Sequence, residues 1–299
     1  MKGYLHPLYA QSFSAIGTPI FLPKSKSWLI KRQIPGTPYF DAMGPYPLFT
    51  CENWNRLNED IESLDDQLVS LSLVTDPFLN IKYESLKKIF PICYPFKDHF
   101  ITDFSQPLEF SVTKRTRKHA RIALKEIHVE HCPNPIRHLE AWTLLYDELI
   151  SRHDITGIRK FSKQSFNHLL NVEGAEIFIA RLGDEIVGAE IFIINNDIGY
   201  AHLAALNQVG YQNNASYALD WTALQYFSNF LRFLDHGAGS GIDDSDDGLT
   251  QYKSRWASKT LPVYFCGRIL NSDFYNEILE EKDVSDTNYF PAYRQGEFK

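Results

Sequence analysis

Cysteine is scarce in this sequence and badly spaced for ligation. The 299-residue chain has four, Cys51, Cys93, Cys132 and Cys266, and no two form a CxxC pair. That pattern excludes an ordinary cysteine zinc site and a dense disulfide framework. It reads as reduced, structural thiols of a cytosolic protein. Long apolar runs are missing too. The best candidate, AEIFIARLGDEIVGAEIFII, is broken by Arg181, Asp184 and Glu185, so nothing approaches the roughly 18 apolar residues of a membrane span. The opening MKGYLHPLYAQSFSAIG has no basic region followed by an apolar stretch, so no signal peptide is read. The expectation is a soluble, cytoplasmic protein without membrane insertion. Positive charge is also in deficit, with 30 Lys and Arg against 37 Asp and Glu, a net −7. This argues against wholesale coating of nucleic acid, and no helix-turn-helix is present to read DNA.

Apolar residues make up 44% and aromatics 14% of the chain, enough for a sizeable core. The length suits about two domains at roughly 150 residues each. In CENWNRLNEDIESLDDQL, Trp54, Leu57, Ile61 and Leu64 share a helical face, so a helix is predicted near 52–64. LVSLSLVTDPF reads as a buried strand and NIKYESLKKIF as a short helix. Three more helices follow in SVTKRTRKHARIALKEI, NPIRHLEAWTLLYDELISRH and KQSFNHLLNV. The period then changes to two, and residues 175–207 read as three strands turning at Gly183-Asp184 and Asn195-Asn196-Asp197. A long helix near 215–230 and a strand at 231–236 complete this part. WLIKR and YFDAMG read as strands ahead of the helix near 52–64, so both halves run strands, helix, strand. The shared order hints at duplication.

The stretch SGIDDSDDGLTQYKSRWA, residues 240–257, opens with four aspartates. A calcium loop begun at Asp243 would find Ser245, Asp247 and Gly248 in place, but Ser254 stands where a bidentate Glu belongs. The aspartates read better as a turn, with Asp246 or Asp247 capping a helix that starts near Leu249. No metal is expected.

GLTQYKSRW resembles the Gly-Leu…(Phe/Tyr)-Lys segment of Fem-like proteins of the GNAT superfamily. The basic helix SVTKRTRKHARIALKEIHVE resembles the one that opens the connection between their halves. The three-strand run, the following helix and FLDHGAGS resemble their acyltransferase core. The resemblance spans nearly the whole chain as an order of elements. It implies an α+β (mixed α/β) fold of two tandem GNAT-like halves, 1–133 with the basic helix and 134–299, each a mixed, mostly antiparallel sheet flanked by helices. It also implies transfer of an acyl or aminoacyl group to an amine, often on a sugar or cell-wall precursor. The long helical-hairpin arm of tRNA-dependent Fem ligases has no counterpart, for no heptad run of that length exists. The resemblance therefore leans toward acyl-CoA, acetyl-CoA first, as co-substrate. The acceptor would be a small molecule or nucleotide-linked sugar with a free amine.

GNAT enzymes hold the donor pyrophosphate on backbone N–H groups at a helix start, in an Arg/Gln-x-x-Gly-x-Gly/Ala loop. The matching place here is QNNASY: Gln212 fits, Ala215 replaces one Gly, and Tyr217 stands where a small residue belongs. Gln212, Asn213, Asn214, Ala215 and Ser216 are the donor-site candidates. Asn213, Asn214 and Ser216 are equally good helix caps. Transfer to an amine needs a base, oxyanion donors and a proton for the leaving group. His202 and Glu190 are the candidate bases, Tyr217 a candidate acid, and Lys253 a candidate for steadying negative charge. Each has an ordinary structural reading as well. Asp243, Asp244, Tyr252 and Arg255 are candidates for the acceptor side.

Lys114, Arg115, Arg117, Lys118, Arg121 and Lys125 crowd twelve positions of an otherwise acidic chain. They suit phosphate of a nucleotide-linked sugar or a carrier. A tRNA partner or a merely solvated face are the alternatives. Two further readings stand beside the acyl-CoA enzyme: an aminoacyl-tRNA-dependent transferase, favoured by the basic helix, and a binding module without catalysis, favoured by the poor QNNASY match.

Overall fold

The computed structural model describes residues 1–239, 248–284 and 287–297. Its strands are β1 (Thr18–Leu22), β2 (Ser27–Gln33), β3 (Phe40–Met43), β4 (Leu68–Val74), β5 (Ile92–Asp103), β6 (Ile127–Cys132), β7 (Ala175–Leu182), β8 (Glu185–Asn195), β9 (Ile198–Leu206), β10 (Phe233–Asp235) and β11 (Lys259–Ile269). Its helices are α1 (Pro7–Gln11), α2 (Leu57–Ile61), α3 (Tyr83–Ile89), α4 (Leu108–Ser111), α5 (Lys114–Ala123), α6 (Leu139–His153), α7 (Lys163–Leu169), α8 (Gln208–Gln212), α9 (Ala215–Phe227), α10 (Gly248–Ser254) and α11 (Ser272–Glu281). The class is mixed α+β.

The chain divides into two compact units. The first comprises residues 3–96 and 262–299, the second residues 97–261. The expected boundary after residue 133 followed chain order, whereas the units interleave. Unit 1 pairs β1–β2 and β2–β3 antiparallel, β3–β4 parallel and β4–β11 antiparallel. Unit 2 pairs β7–β8 and β8–β9 antiparallel, β9–β10 parallel and β10–β5 antiparallel, with β6 added beside β7. The two patterns match. In each, the parallel neighbour is reached through a helix, α2 in unit 1 and α9 in unit 2. The closing strand comes from an unexpected part of the chain: β11 follows unit 2's elements yet closes unit 1, and β5 follows unit 1's strands yet closes unit 2.

Unit 1 is built around Leu29, Phe49, Leu57, Leu71 and Phe90, all fully buried. An internal ion network joins its C-terminal segment to β2 and β3. Asp41, with no exposed surface, receives Arg32 Nε at 3.1 Å and Arg294 Nε at 2.8 Å. The predicted helix at 52–64 is shorter than expected. A 3-10 turn (Trp54–Arg56) precedes a single α-helical stretch at Leu57–Ile61.

In unit 2, α9 packs on β6, β7, β8 and β9. Phe178 of β7 and Phe192 of β8 meet its Phe227 at ring-centroid distances of 5.6 and 5.0 Å. Burying each such ring or a leucine contributes roughly 1.5–3 kcal/mol. α5 is capped by Thr113, whose Oγ1 accepts from Thr116 N at 3.2 Å. It lays Thr116, Ala120 and Ala123 inward, with the two alanines in the core beside α9. The predicted helix near 215–230 is α9, Ala215–Phe227, and a short helix, α8, precedes it. Asn214 takes a left-handed conformation, φ 55°, and separates α8 from α9. Gly210 of α8 lies directly on β8: a Cβ there would stand 2.1 Å from the Val187 carbonyl oxygen, so no larger residue fits.

Candidate active site where β9 and β10 part

The parallel pair β9–β10 is short. It joins Phe233–Ile198, Leu234–Gly199 and Asp235–Tyr200, and ends there. On its other side β10 keeps its ladder with β5 further: His236 N donates to Phe100 O at 2.9 Å, and Phe100 N donates to Gly237 O at 3.1 Å. β9 meanwhile stays on β8 as far as Leu206–Gly188. Each strand therefore keeps its outer partner while losing the inner one, and a gap opens beyond Tyr200 and Asp235. Along it Ala201, His202 and Leu203 are half-buried and Ala204 is exposed. The ladder with β8 slips between Ile191 and Phe192, leaving His202 as the extra residue of a bulge.

Polar side chains converge at this place. Glu190 on β8 stands opposite Phe178 and Ala204. Directly paired residues share a face, so Glu190 points with Phe178 toward α9. Only 6% of it is exposed. Asp220 of α9, 7% exposed, accepts a short hydrogen bond from the Tyr252 hydroxyl of α10. Lys253 Nζ donates to Ala238 O at 2.8 Å. Gly237, φ +74°, comes so close that a Cβ there would lie 3.1 Å from Lys253 Nζ. The chain after β10 is fixed by Asp235, which accepts from Gly237 N at 2.7 Å and from His99 Nδ1 at 2.8 Å. Lys97 Nζ donates to Gly239 O at 3.0 Å. Thr102 Oγ1 donates to Trp256 O at 2.6 Å and so accepts from His236 Nε2 at 2.9 Å.

The electrostatics follow from burial and neighbours. Burial, then the nearby Asp220 charge, pushes the Glu190 carboxyl well above its usual range, and Lys253 opposes the shift. Burial lifts Asp220 to about 7 against the Tyr252 hydrogen bond and Lys253. Burial lowers the Lys253 ammonium, while Asp235, Glu190 and Asp220 support its charge. The result is two carboxyls and one ammonium that act on one another's charge, with Asp220 able to exchange a proton near neutrality. His202 behaves differently. Burial drives it down to about 3, which makes it a weak proton acceptor at neutral pH. His236 is likewise lowered to about 4 by burial.

The structure thus gathers Glu190, Tyr252 and Lys253 from the sequence candidates. Tyr217 joins at the rim, its ring 5.2 Å from that of Tyr252 and its hydroxyl accepting from Arg255 Nη1 at 3.3 Å. Asp243 and Asp244 lie outside the described residues. Asp220, Asp235 and His99 were not anticipated. Asp220 did leave a signal, since it is the sole charged residue of the thirteen in α9. The donor-loop candidates sit at the α8–α9 junction. Gln212 ends α8, and Asn213 Nδ2 folds back onto Val209 O at 2.9 Å. Asn214 makes no side-chain cap to α9. Among the described residues, the N–H groups of Ala215 and Ser216 have no acceptor. An uncapped start to a thirteen-residue helix is suited to an anion.

Gly237→Ala is expected to lower turnover about tenfold and stability by about 1–2 kcal/mol, because it combines a left-handed backbone with displacement of Lys253. Steady-state kinetics and urea melts check both numbers.

Among the described residues, no cluster of three or more His, Cys, Asp or Glu is arranged to hold a metal. A cavity of about 320 Å³ lies in unit 1, lined by groups such as Ile92, Ile269, Tyr275 and Phe290. Its lining carries no carboxylate, lysine, arginine or histidine.

An antiparallel run, a parallel pair open at one end and a helix start beside the opening define a Fem/GNAT-like fold, and this chain has it. Among solved structures it is similar to FemX, with a TM-score of 0.67 at 14% identity over 91% of this chain and 95% of that one. It is similar to the C-terminal DUF2156 domain of a putative lysylphosphatidylglycerol synthetase from Agrobacterium fabrum, TM-score 0.67 at 10% identity, covering 95% and 92%. It is also similar to L-PGS from Bacillus licheniformis, TM-score 0.57 at 13% identity, covering 96% and 99%. At such identities the likeness carries the fold alone. No protein-family profile and no curated protein matches the sequence.

Proposed function

We propose that this protein is an acyltransferase that moves an acyl group from an anionic carrier to a primary amine. The observation that supports the reading is that β9 and β10 pair over only three residues, with a buried carboxyl pair and a lysine that act on one another's charge near that end. The carrier's phosphate rests on the free N–H groups at the start of α9. The amine gives a proton to the Glu190–Asp220 pair and attacks the donor carbonyl. Lys253 steadies the oxyanion. The C–N bond forms, the bond to the carrier breaks, and the proton passes to the leaving sulfur or oxygen. Acyl-CoA, acetyl-CoA first, is the favoured donor, and an amino sugar of an envelope polysaccharide precursor is the favoured acceptor.

An aminoacyl ester as donor is the second reading. Its support is the similarity to FemX and to lysylphosphatidylglycerol synthetase over nine-tenths of the chain or more. Calorimetric titration with acetyl-CoA, longer acyl-CoAs and aminoacyl-tRNA separates the two. Micromolar binding of a CoA ester, lost on Ala215→Pro, is the expected result. Binding of aminoacyl-tRNA alone would transfer the reading to the ester donor, and binding of neither would end it.

A further inference from the structure

The basic helix α5 is not absorbed by the site. Lys114, Arg115, Lys118, Arg121 and Lys125 are all exposed. At 100° per residue, these five fall within an arc of about 120° on the outer side of α5 and its continuation. Among the described residues, none of the five has a carboxylate partner, and the one ion pair of the helix belongs to Arg117, 3.8 Å from Glu109. Glu109 and Glu126 are the only acids in the segment from Leu108 to Glu126. A solvated face ordinarily mixes its signs, and this one does not.

Exposed apolar groups lie in this face and at the two ends of α5. Ile122, 49% exposed, falls inside the basic arc, and Leu124, 37% exposed, follows at the helix end. Phe110 of α4, three residues before the cap, is 75% exposed. The inner side of α5 is already spent on α9, so these groups are not needed for folding. Unpaired cations interleaved with exposed aliphatic and aromatic side chains match an anionic bilayer surface, where cations meet headgroups and apolar tips enter the interface. An RNA would use the cations and could stack on Phe110, but it has no use for Ile122 or Leu124.

We infer that α4 and α5 form a peripheral docking face for an anionic phospholipid bilayer. Among the described residues no helix is long and apolar enough to cross a membrane, so the attachment is to the surface and reversible. It does not depend on which donor the active site takes.

Co-sedimentation with vesicles tests it, using the whole chain. Binding is expected to equimolar phosphatidylglycerol–phosphatidylcholine vesicles at low salt, and to be lost on pure phosphatidylcholine. Each cation contributes roughly fivefold to partitioning, so a Lys118→Ala, Arg121→Ala, Lys125→Ala triple variant should bind about a hundredfold less. Phe110→Ser with Ile122→Ser should weaken binding about tenfold while keeping its salt dependence. The absence of vesicle binding would overturn the proposal. So would competition by bulk tRNA with the two serine substitutions neutral, which would make this an RNA face. Circular dichroism of each variant, together with transfer activity on a soluble amine, separates loss of the face from loss of the fold or of the catalytic reading.

Discussion

Lys253→Met lowers kcat by about 10²–10³-fold while the protein stays folded, the expected loss when one charged oxyanion donor is removed. Methionine keeps the aliphatic stem and fills the space beside Gly237, so packing of α10 on α9 survives. In the proposed mechanism the ammonium does more than face the oxyanion. It opposes the upward shift of both Glu190 and Asp220. Without it each carboxyl holds its proton more tightly, so the rising limb of the pH–rate profile moves to higher pH as kcat falls. A lysine that merely held Ala238 in place would leave that limb where it was. Turnover within threefold of wild type, with an unmoved limb, would sink the assignment.

The parts of this site that could be read in the sequence are those whose residues conflict with their surroundings. Glu190 sits in the apolar run EIVGAEIFII, and a carboxylate there must find a use. Lys253 and Tyr252 came with a short motif. Asp220 was passed over because an Asp on a helix is ordinarily on the wet side. In the fold it is buried beside Glu190 and bonded by the Tyr252 hydroxyl of α10. The three strands β7, β8 and β9 were legible as apolar runs of eight, eleven and nine residues set apart by turn residues, although burial along β7 and β8 is continuous rather than alternating. β5 and β11 were not. ICYPFKDHFITD and KTLPVYFCGRI each carry an internal proline, which argues against a strand when only the local sequence is considered. Pro95 and Pro262 fall where each strand passes from one unit to the other, at 96/97 and 261/262. The interleaving of the units was hidden for the same reason. The exchange of closing strands is a long-range pairing, and no local period reports it.

Asp220→Asn is expected to do two opposite things. Activity falls about 10²–10⁴-fold, the usual loss of a general base, because an amide cannot take the amine's proton. Wild-type activity is expected to rise with pH through about 7 as Asp220 ionises, and in the variant that rise is expected to disappear. Stability moves the other way. The folded carboxyl is raised from an ordinary 3.8 to about 7, so the folded state binds the extra proton between those values. The slope of unfolding free energy with pH is therefore negative across that window, and above it the full penalty of a buried charge is present. Asparagine keeps an acceptor for Tyr252 and carries no charge. The variant should match wild type near pH 4 and exceed it by about 2–4 kcal/mol at pH 8, read from urea melts at the two pH values. A variant less stable than wild type at pH 8 would show that Asp220 is a structural ion whose charge the fold requires. A variant that gained stability and lost turnover would show a carboxylate held against the preference of the fold, which is what an active site does when burial is used to tune a base.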